Sequence, residues 1–323
     1  MRLGVFCPLD LHPDLGETPG QLYQRAILLA GAAERAGLES FWVSEHHFSA
    51  YGVLPDPALL LTAIARHTRA LRLGTATAVL PFDHPLRTAE RYALCDHLCG
   101  GRLEFGVGGG YLPYEYAGFG LDPAERRERF DEALAVIRLA WAGGPVHFTG
   151  RFLRVEAPAL NVTPLQAGGP PLHLGVTRPA AAPFVGRQGH RLATVPYIGL
   201  RSLAELAEQI AAYRAALPAG VPGEVTAALH GCCSADPSDL AAAEAALTRY
   251  LRTRVVPGAR YSGEDIAPDF VLFGGPAELA RRLAALAAIG VDRVLVFAPF
   301  GGLADSVVTA SLERLGRLVG ELG

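Results

Sequence analysis

Glu45, His46, His47 and Phe48 follow a short apolar run, Ser40–Val43. A carboxylate beside two imidazoles can do general acid/base work or ligate a metal. Successive residues on an extended segment point to opposite sides, so His46 and His47 would not both face one ion. A polar strand end is the other reading. Thr75-Ala76-Thr77 offers small side chains against which a flat ring could lie, or simply pack a strand. Gly106–Gly110 reads GVGGG, a tight turn that can approach a cofactor closely, yet it lacks the GxGxxG spacing of a dinucleotide fold. Val176, Thr177 and Arg178 precede Pro179. Free N–H groups at a helix start, with a hydroxyl and an arginine, make an anion site or an ordinary cap. Cys95 and Cys99 stand four apart with no second pair to complete a metal site, so core packing is favoured and no metal is expected.

The composition narrows the chemistry. All 29 basic residues are arginine. Without lysine there is no Schiff-base chemistry of the pyridoxal-phosphate kind and no Walker lysine. Any phosphate must be held by arginine, hydroxyls or backbone N–H groups. A net charge of −3 leaves no footprint for nucleic acid. No run of about 18 apolar residues predicts a membrane span, and the start, MRLGVF, carries no signal-peptide pattern. Five cysteines without CxxC spacing fit a reduced, cytoplasmic setting.

The elements that must position these residues alternate strand and helix. Strands are predicted at Arg2–Cys7, Ser40–Val43, Leu71–Leu80, Leu103–Gly108, Leu172–Val176, Arg191–Val195, Val225–Cys233 and Arg293–Phe297. Helices are predicted at Gln21–Ala36, Pro57–His67, Pro85–Leu98, Pro123–Trp141, after Val176, and at Leu203–Leu217, Pro237–Leu251, Pro276–Ile289 and Ala304–Leu322. Gly143 to Pro171 predicts a hairpin insertion after the fourth helix, and Arg252–Asp269 a mobile loop before the eighth strand. Eight short apolar strands, each followed by a helix, predict one α/β domain over residues 1–323, a (β/α)8 TIM barrel. Chemistry in such a barrel sits just after the strands. Phe6, Tyr51, Phe82, Tyr111, Tyr114 and Tyr197 are placed there to line an apolar pocket.

Several segments together resemble a known family. They are FWVSEHHF at Phe41–Phe48, LGTATAVLPFDHPLR at Leu73–Arg87 and DHLCGGRLEFGVGGG at Asp96–Gly110. The run from Phe273 to Phe297 and FGGLADSVVTASLERLG from Phe300 continue the pattern. In this order they resemble the bacterial luciferase-like flavin-dependent monooxygenases. The resemblance implies reduced FMN from a separate reductase, dioxygen, and oxygenation of a small organic substrate through a flavin hydroperoxide. It places the acid/base histidine on His46, with Glu45 and His47 orienting it or contacting the flavin region. It places a non-proline cis peptide on Ala76-Thr77, the glycine motif on Gly109, Gly110 and Tyr111, and the phosphate site on Val176, Thr177 and Arg127. Family members are commonly homodimers, here expected through Pro57–His67 and Pro85–Leu98. Two departures stand out. Gly109 replaces an arginine that FMN users often carry, and Ala180 replaces a second hydroxyl; Arg178 is available to compensate. The alternatives are a deazaflavin-dependent hydride-transfer enzyme, suggested by Gly110-Tyr111, and a catalytically silent flavin-binding homologue.

Overall fold

The computed structural model describes residues 1–176, 178–253 and 266–322. In chain order the strands are β1 (Arg2–Cys7), β2 (Ser40–Val43), β3 (Arg72–Thr75), β4 (Ala78–Val79), β5 (Leu103–Gly108), β6 (Val146–Thr149), β7 (Arg154–Ala157), β8 (Leu172–Val176), β9 (Arg191–Thr194), β10 (Val225–Cys233), β11 (Val271–Gly274) and β12 (Arg293–Phe297). The helices are α1 (Pro19–Arg35), α2 (Pro57–Ala65), α3 (Pro85–Leu98), α4 (Pro113–Gly118), α5 (Arg126–Trp141), α6 (Ala182–Arg187), α7 (Leu203–Ala215), α8 (Pro237–Thr253), α9 (Pro276–Ala288) and α10 (Asp305–Leu322). Proline opens several of these helices, where its missing N–H goes unneeded. Thr18 completes a capping box on α1, with Gln21.

Parallel pairing runs β12-β1-β2-β3-β5-β8-β9-β10, and β10 pairs with β12 to close the ring. This is the eight-stranded (β/α)8 barrel that the alternation of elements predicts. Trp42 from β2 fills its interior. A Cβ on Gly74 of β3 would stand 2.2 Å from the Trp42 ring, so only glycine admits that indole. The N-terminal end is plugged by charge. Fully buried Arg293 of β12 pairs with Glu39 at 3.0 Å and Glu224 at 3.1 Å, and Glu104 of β5 pairs with His173 of β8 at 2.6 Å. The barrel's cavity opens at the other, C-terminal end.

Four expectations need correction. The single strand Leu71–Leu80 is divided into β3 and β4 by a cis peptide at Ala76-Thr77. The long helix starts at Arg126, not Pro123, because a separate short helix, α4, and a 3-10 turn at Pro123–Glu125 come first. The hairpin β6–β7 forms as expected after α5. The stretch after Arg252 is not all loop: α8 continues to Thr253, and residues 254–265 of the expected mobile loop lie outside the described residues. β11 was not foreseen. It pairs with His230–Cys233 of β10, the part of that nine-residue strand that β9 and β12 largely leave uncovered. Among the described residues no helix is long and apolar enough to cross a membrane.

Candidate active site

One cavity opens at the C-terminal end of the barrel. Its floor on one side is made of small residues, Ala76, Thr77, Gly108, Gly109, Gly175 and Ala193. Gly175 and Gly108 crowd Thr77. A Cβ on either would come within 2.8 Å of that side chain, so the glycines keep this surface flat.

His46 lies at the cavity's edge. Its backbone N–H donates to Leu54 O at 3.1 Å, and its ring packs 4.7 Å from Tyr51. Its Nδ1 meets Oε1 of Glu115 at 3.1 Å, and the His47 backbone N–H donates to the same oxygen at 2.9 Å. Glu115 comes from α4 and is 1 % exposed. A buried carboxylate on Nδ1 fixes the ring's orientation, so any proton transfer by this ring would run through Nε2. Gly52 sits against this imidazole. A Cβ there would stand 2.9 Å from His46 Cβ and Cδ2.

The other members of the motif divide as the extended backbone requires. Glu45 lines the cavity; it accepts from the Val79 N–H at 3.0 Å and contacts His47 Nε2 at 3.1 Å. Burial pushes the Glu45 carboxyl up, against the lowering effect of His47 and Val79. His47 is not among the cavity's lining residues. Its ring packs 4.8 Å from Phe119 and 5.7 Å from Phe82. Its contact with a lining residue of the cavity is through Glu45. Among the described residues no group of histidine, cysteine or carboxylate side chains could hold a metal ion. Cys95 and Cys99 are both buried, 3.8 Å apart, in the core, as expected.

Gly109, Gly110 and Tyr111 line the cavity, as does Val176. Gly110 has φ +68° and turns the chain toward α4. Thr177 lies outside the described residues. Arg127 and Arg178 do not line the cavity. Arg127 on α5 stacks its guanidinium 3.8 Å from the centre of the Phe184 ring on α6 and pairs with Asp131 at 2.7 Å. This puts a guanidinium beside the helix that follows β8. Arg178 is exposed at the start of the 3-10 turn Pro179–Ala181. Of the expected pocket aromatics, Phe6, Tyr51, Tyr111 and Tyr197 line the cavity. Phe82 instead packs on Tyr116 and Phe119, and Tyr114 bonds Ser49 at 2.8 Å outside it.

Sequence reasoning missed Glu115, Tyr250 and His230. Glu115 sits in PYEY, with no spacing signal to mark it. Tyr250 stands near the end of a predicted helix, and the fold alone brings its ring 5.5 Å from Tyr51. His230 is wholly buried on β10 with Nε2 3.3 Å from the Tyr197 hydroxyl. Burial pushes its imidazole down to about 3, so it is neutral at ordinary pH.

Comparison with known proteins agrees with this geometry. The luciferase-like monooxygenase family matches residues 1–293. The 4-hydroxyprotoasukamycin monooxygenase of Streptomyces nodosus subsp. asukaensis is 39 % identical over 184 residues, covering 57 % of this chain and 47 % of that protein. The oxygenase component of the flavin-dependent trigonelline monooxygenase of Acinetobacter baylyi is 31 % identical over 198 residues, 61 % of this chain and 54 % of that one. This chain therefore aligns with about half the length of these relatives. A monooxygenase of known structure from Streptomyces bottropensis superposes with a TM-score of 0.90 at 25 % identity over the full length of both chains. The barrel, its ordered motifs and the family match together make this chain a member of the luciferase-like monooxygenase family.

Proposed function

We propose that this chain is the oxygenase of a flavin-dependent monooxygenase that takes reduced FMN from a separate reductase. The observation that carries the reading is His46, held by buried Glu115 at the edge of a cavity floored by small residues. The residues present fit the cofactor. Ala76, Thr77, Gly108 and Gly109 would lie against the isoalloxazine. Val176 and the helix start after β8 would meet the phosphate, with Arg127 and Arg178 as the nearby cations. A Cβ on Gly109 would be no closer than 3.5 Å to any neighbour, so the missing arginine leaves room rather than a clash. When bound, reduced FMN supplies two electrons for dioxygen, one oxygen atom entering the substrate and the other leaving as water.

The chain's own residues do the rest. Tyr51, Tyr111 and Tyr250 exclude water from the cavity mouth. His46 moves a proton at Nε2, its ring held in place by Glu115. Glu45, tied to Val79 and His47, joins the segment after β2 to the segment that carries the flavin floor. Five buried free cysteines agree with a cytoplasmic setting. A homodimer would cover the leucines that α1, α2 and α3 leave exposed: Leu28 at 72 %, Leu59 at 71 %, Leu94 at 52 % and Leu98 at 53 %.

Anaerobic titration with reduced FMN and, separately, with a reduced deazaflavin tests the cofactor. Saturable binding of reduced FMN supports the reading. Tight deazaflavin binding with no affinity for FMN would replace it with hydride transfer.

A further inference from the structure

The two sides of the cavity differ in chemistry. In the ring of strands β5 stands opposite β12, and β8 opposite β1. The β5 and β8 side carries the small-residue floor. The β1 and β12 side carries aromatic rings in unbroken contact. Phe6 meets Phe297 at 4.3 Å, Phe297 meets Tyr250 at 6.1 Å, and Tyr250 meets Tyr51 at 5.5 Å. The hydroxyls join one another, since Tyr111 donates to Tyr51 at 3.1 Å and Tyr51 also hydrogen-bonds Tyr250, and the Tyr51 and Tyr111 rings lie 4.7 Å and 6.5 Å from that of His46. All these rings line the cavity. Among the described residues the charged side chains in the lining are Glu45 and Glu115, both already engaged, and no arginine joins them.

Resting on the flavin reading of the opposite floor, we infer that this wall selects a neutral, planar aromatic substrate bearing a hydroxyl or carbonyl oxygen. Aromatic side chains favour stacked or edge-on contact with another ring, a geometry that an alkyl chain does not share. The Tyr51 and Tyr250 hydroxyls, at the end of the wall nearest His46, meet the substrate oxygen. A site that hydrogen-bonds an oxygen discriminates against the ring that lacks it. Two carboxylates in the lining disfavour an anion.

The test is calorimetric titration of the full chain with 1-naphthol, naphthalene and decanal, each with and without saturating oxidised FMN. The wall predicts 1-naphthol as the tightest ligand, with naphthalene and decanal each weaker by about threefold or more, the worth of one hydrogen bond. Tyr51→Phe and Tyr250→Phe should each bring 1-naphthol down toward naphthalene while FMN affinity, which also reports folding, holds. FMN should leave 1-naphthol binding in place. Decanal binding as tightly as 1-naphthol would overturn the inference, as would unchanged 1-naphthol affinity in both variants. So would competition between FMN and 1-naphthol for one place. If the naphthol pattern holds but FMN does not bind, the substrate inference stands and the flavin reading falls.

Discussion

Glu115 and His46 are 69 residues apart in sequence and 3.1 Å apart in the barrel, the carboxylate almost wholly buried behind the ring. A buried carboxylate on Nδ1 orients the imidazole that it contacts. Two substitutions separate the ring's role from the carboxylate's. His46→Ala should cut turnover by about a hundredfold or more, since it removes the proton-transfer group. Glu115→Gln keeps the shape but removes the charge. It should lower turnover about tenfold, because the ring loses the carboxylate that orients it. Steady-state rates check both, and FMN affinity should stay within about twofold in each.

Gly52 gives a gentler probe of the same ring. In Gly52→Ala the new methyl would stand 2.9 Å from His46 Cβ and Cδ2. The ring must move, although no bond is removed. Turnover should fall while thermal stability changes little. A rate equal to the parent's would mean that the ring's position is not critical.

On the proposed function, arginine meets the cofactor's phosphate. Arg127→Ala removes the guanidinium over Phe184. A charged hydrogen bond is worth about 1.5–3 kcal/mol, so FMN affinity should fall by roughly ten- to a hundredfold. Arg178→Ala tests the compensating role the same way. Fluorescence titration with FMN reads both. If neither variant weakens binding, the phosphate is held elsewhere.

Acid should weaken the fold. In the unfolded chain a histidine titrates near about 6.5, while buried His230 is held down to about 3. At pH 7 neither state binds that proton. Below about 6.5 only the unfolded state does, so stability falls by about 1.4 kcal/mol per pH unit until about 3. Burial pushes Glu104 up, but its hydrogen bond from His173 and the charges of His173, Arg293 and Arg72 outweigh it and hold the carboxyl at about 2. That contribution is present above the ordinary carboxylate range and is lost as pH falls toward about 2. Urea unfolding at pH 7 and pH 5 should differ by about 2 kcal/mol from His230 alone, and His230→Phe should remove that part.

Much of this architecture was readable from periodicity, because a barrel strand buried on both faces must be short and apolar. Ser40–Val43 and Leu103–Gly108 are found with the expected bounds. β11 was hidden because Val271–Gly274 is four residues long and runs straight into Pro276. The local motif EHH was visible, but its division was only half legible. Alternation separates His46 from His47, yet nothing local shows that His46 would meet a carboxylate from the next loop but one. Glu115 and Tyr250 come to the site only by tertiary folding.

The proposed function has reduced FMN bound on the small-residue floor with His46 controlling the chemistry above it. Its most direct test is to mix the protein anaerobically with reduced FMN, admit air, and follow flavin absorbance in the parent and in His46→Ala. Bound flavin should return to its oxidised form through a transient absorbing phase, slower than free flavin, and the variant should bind equally well but show an altered phase. Oxidation at the rate of free flavin, in one phase and identical in both proteins, would contradict it.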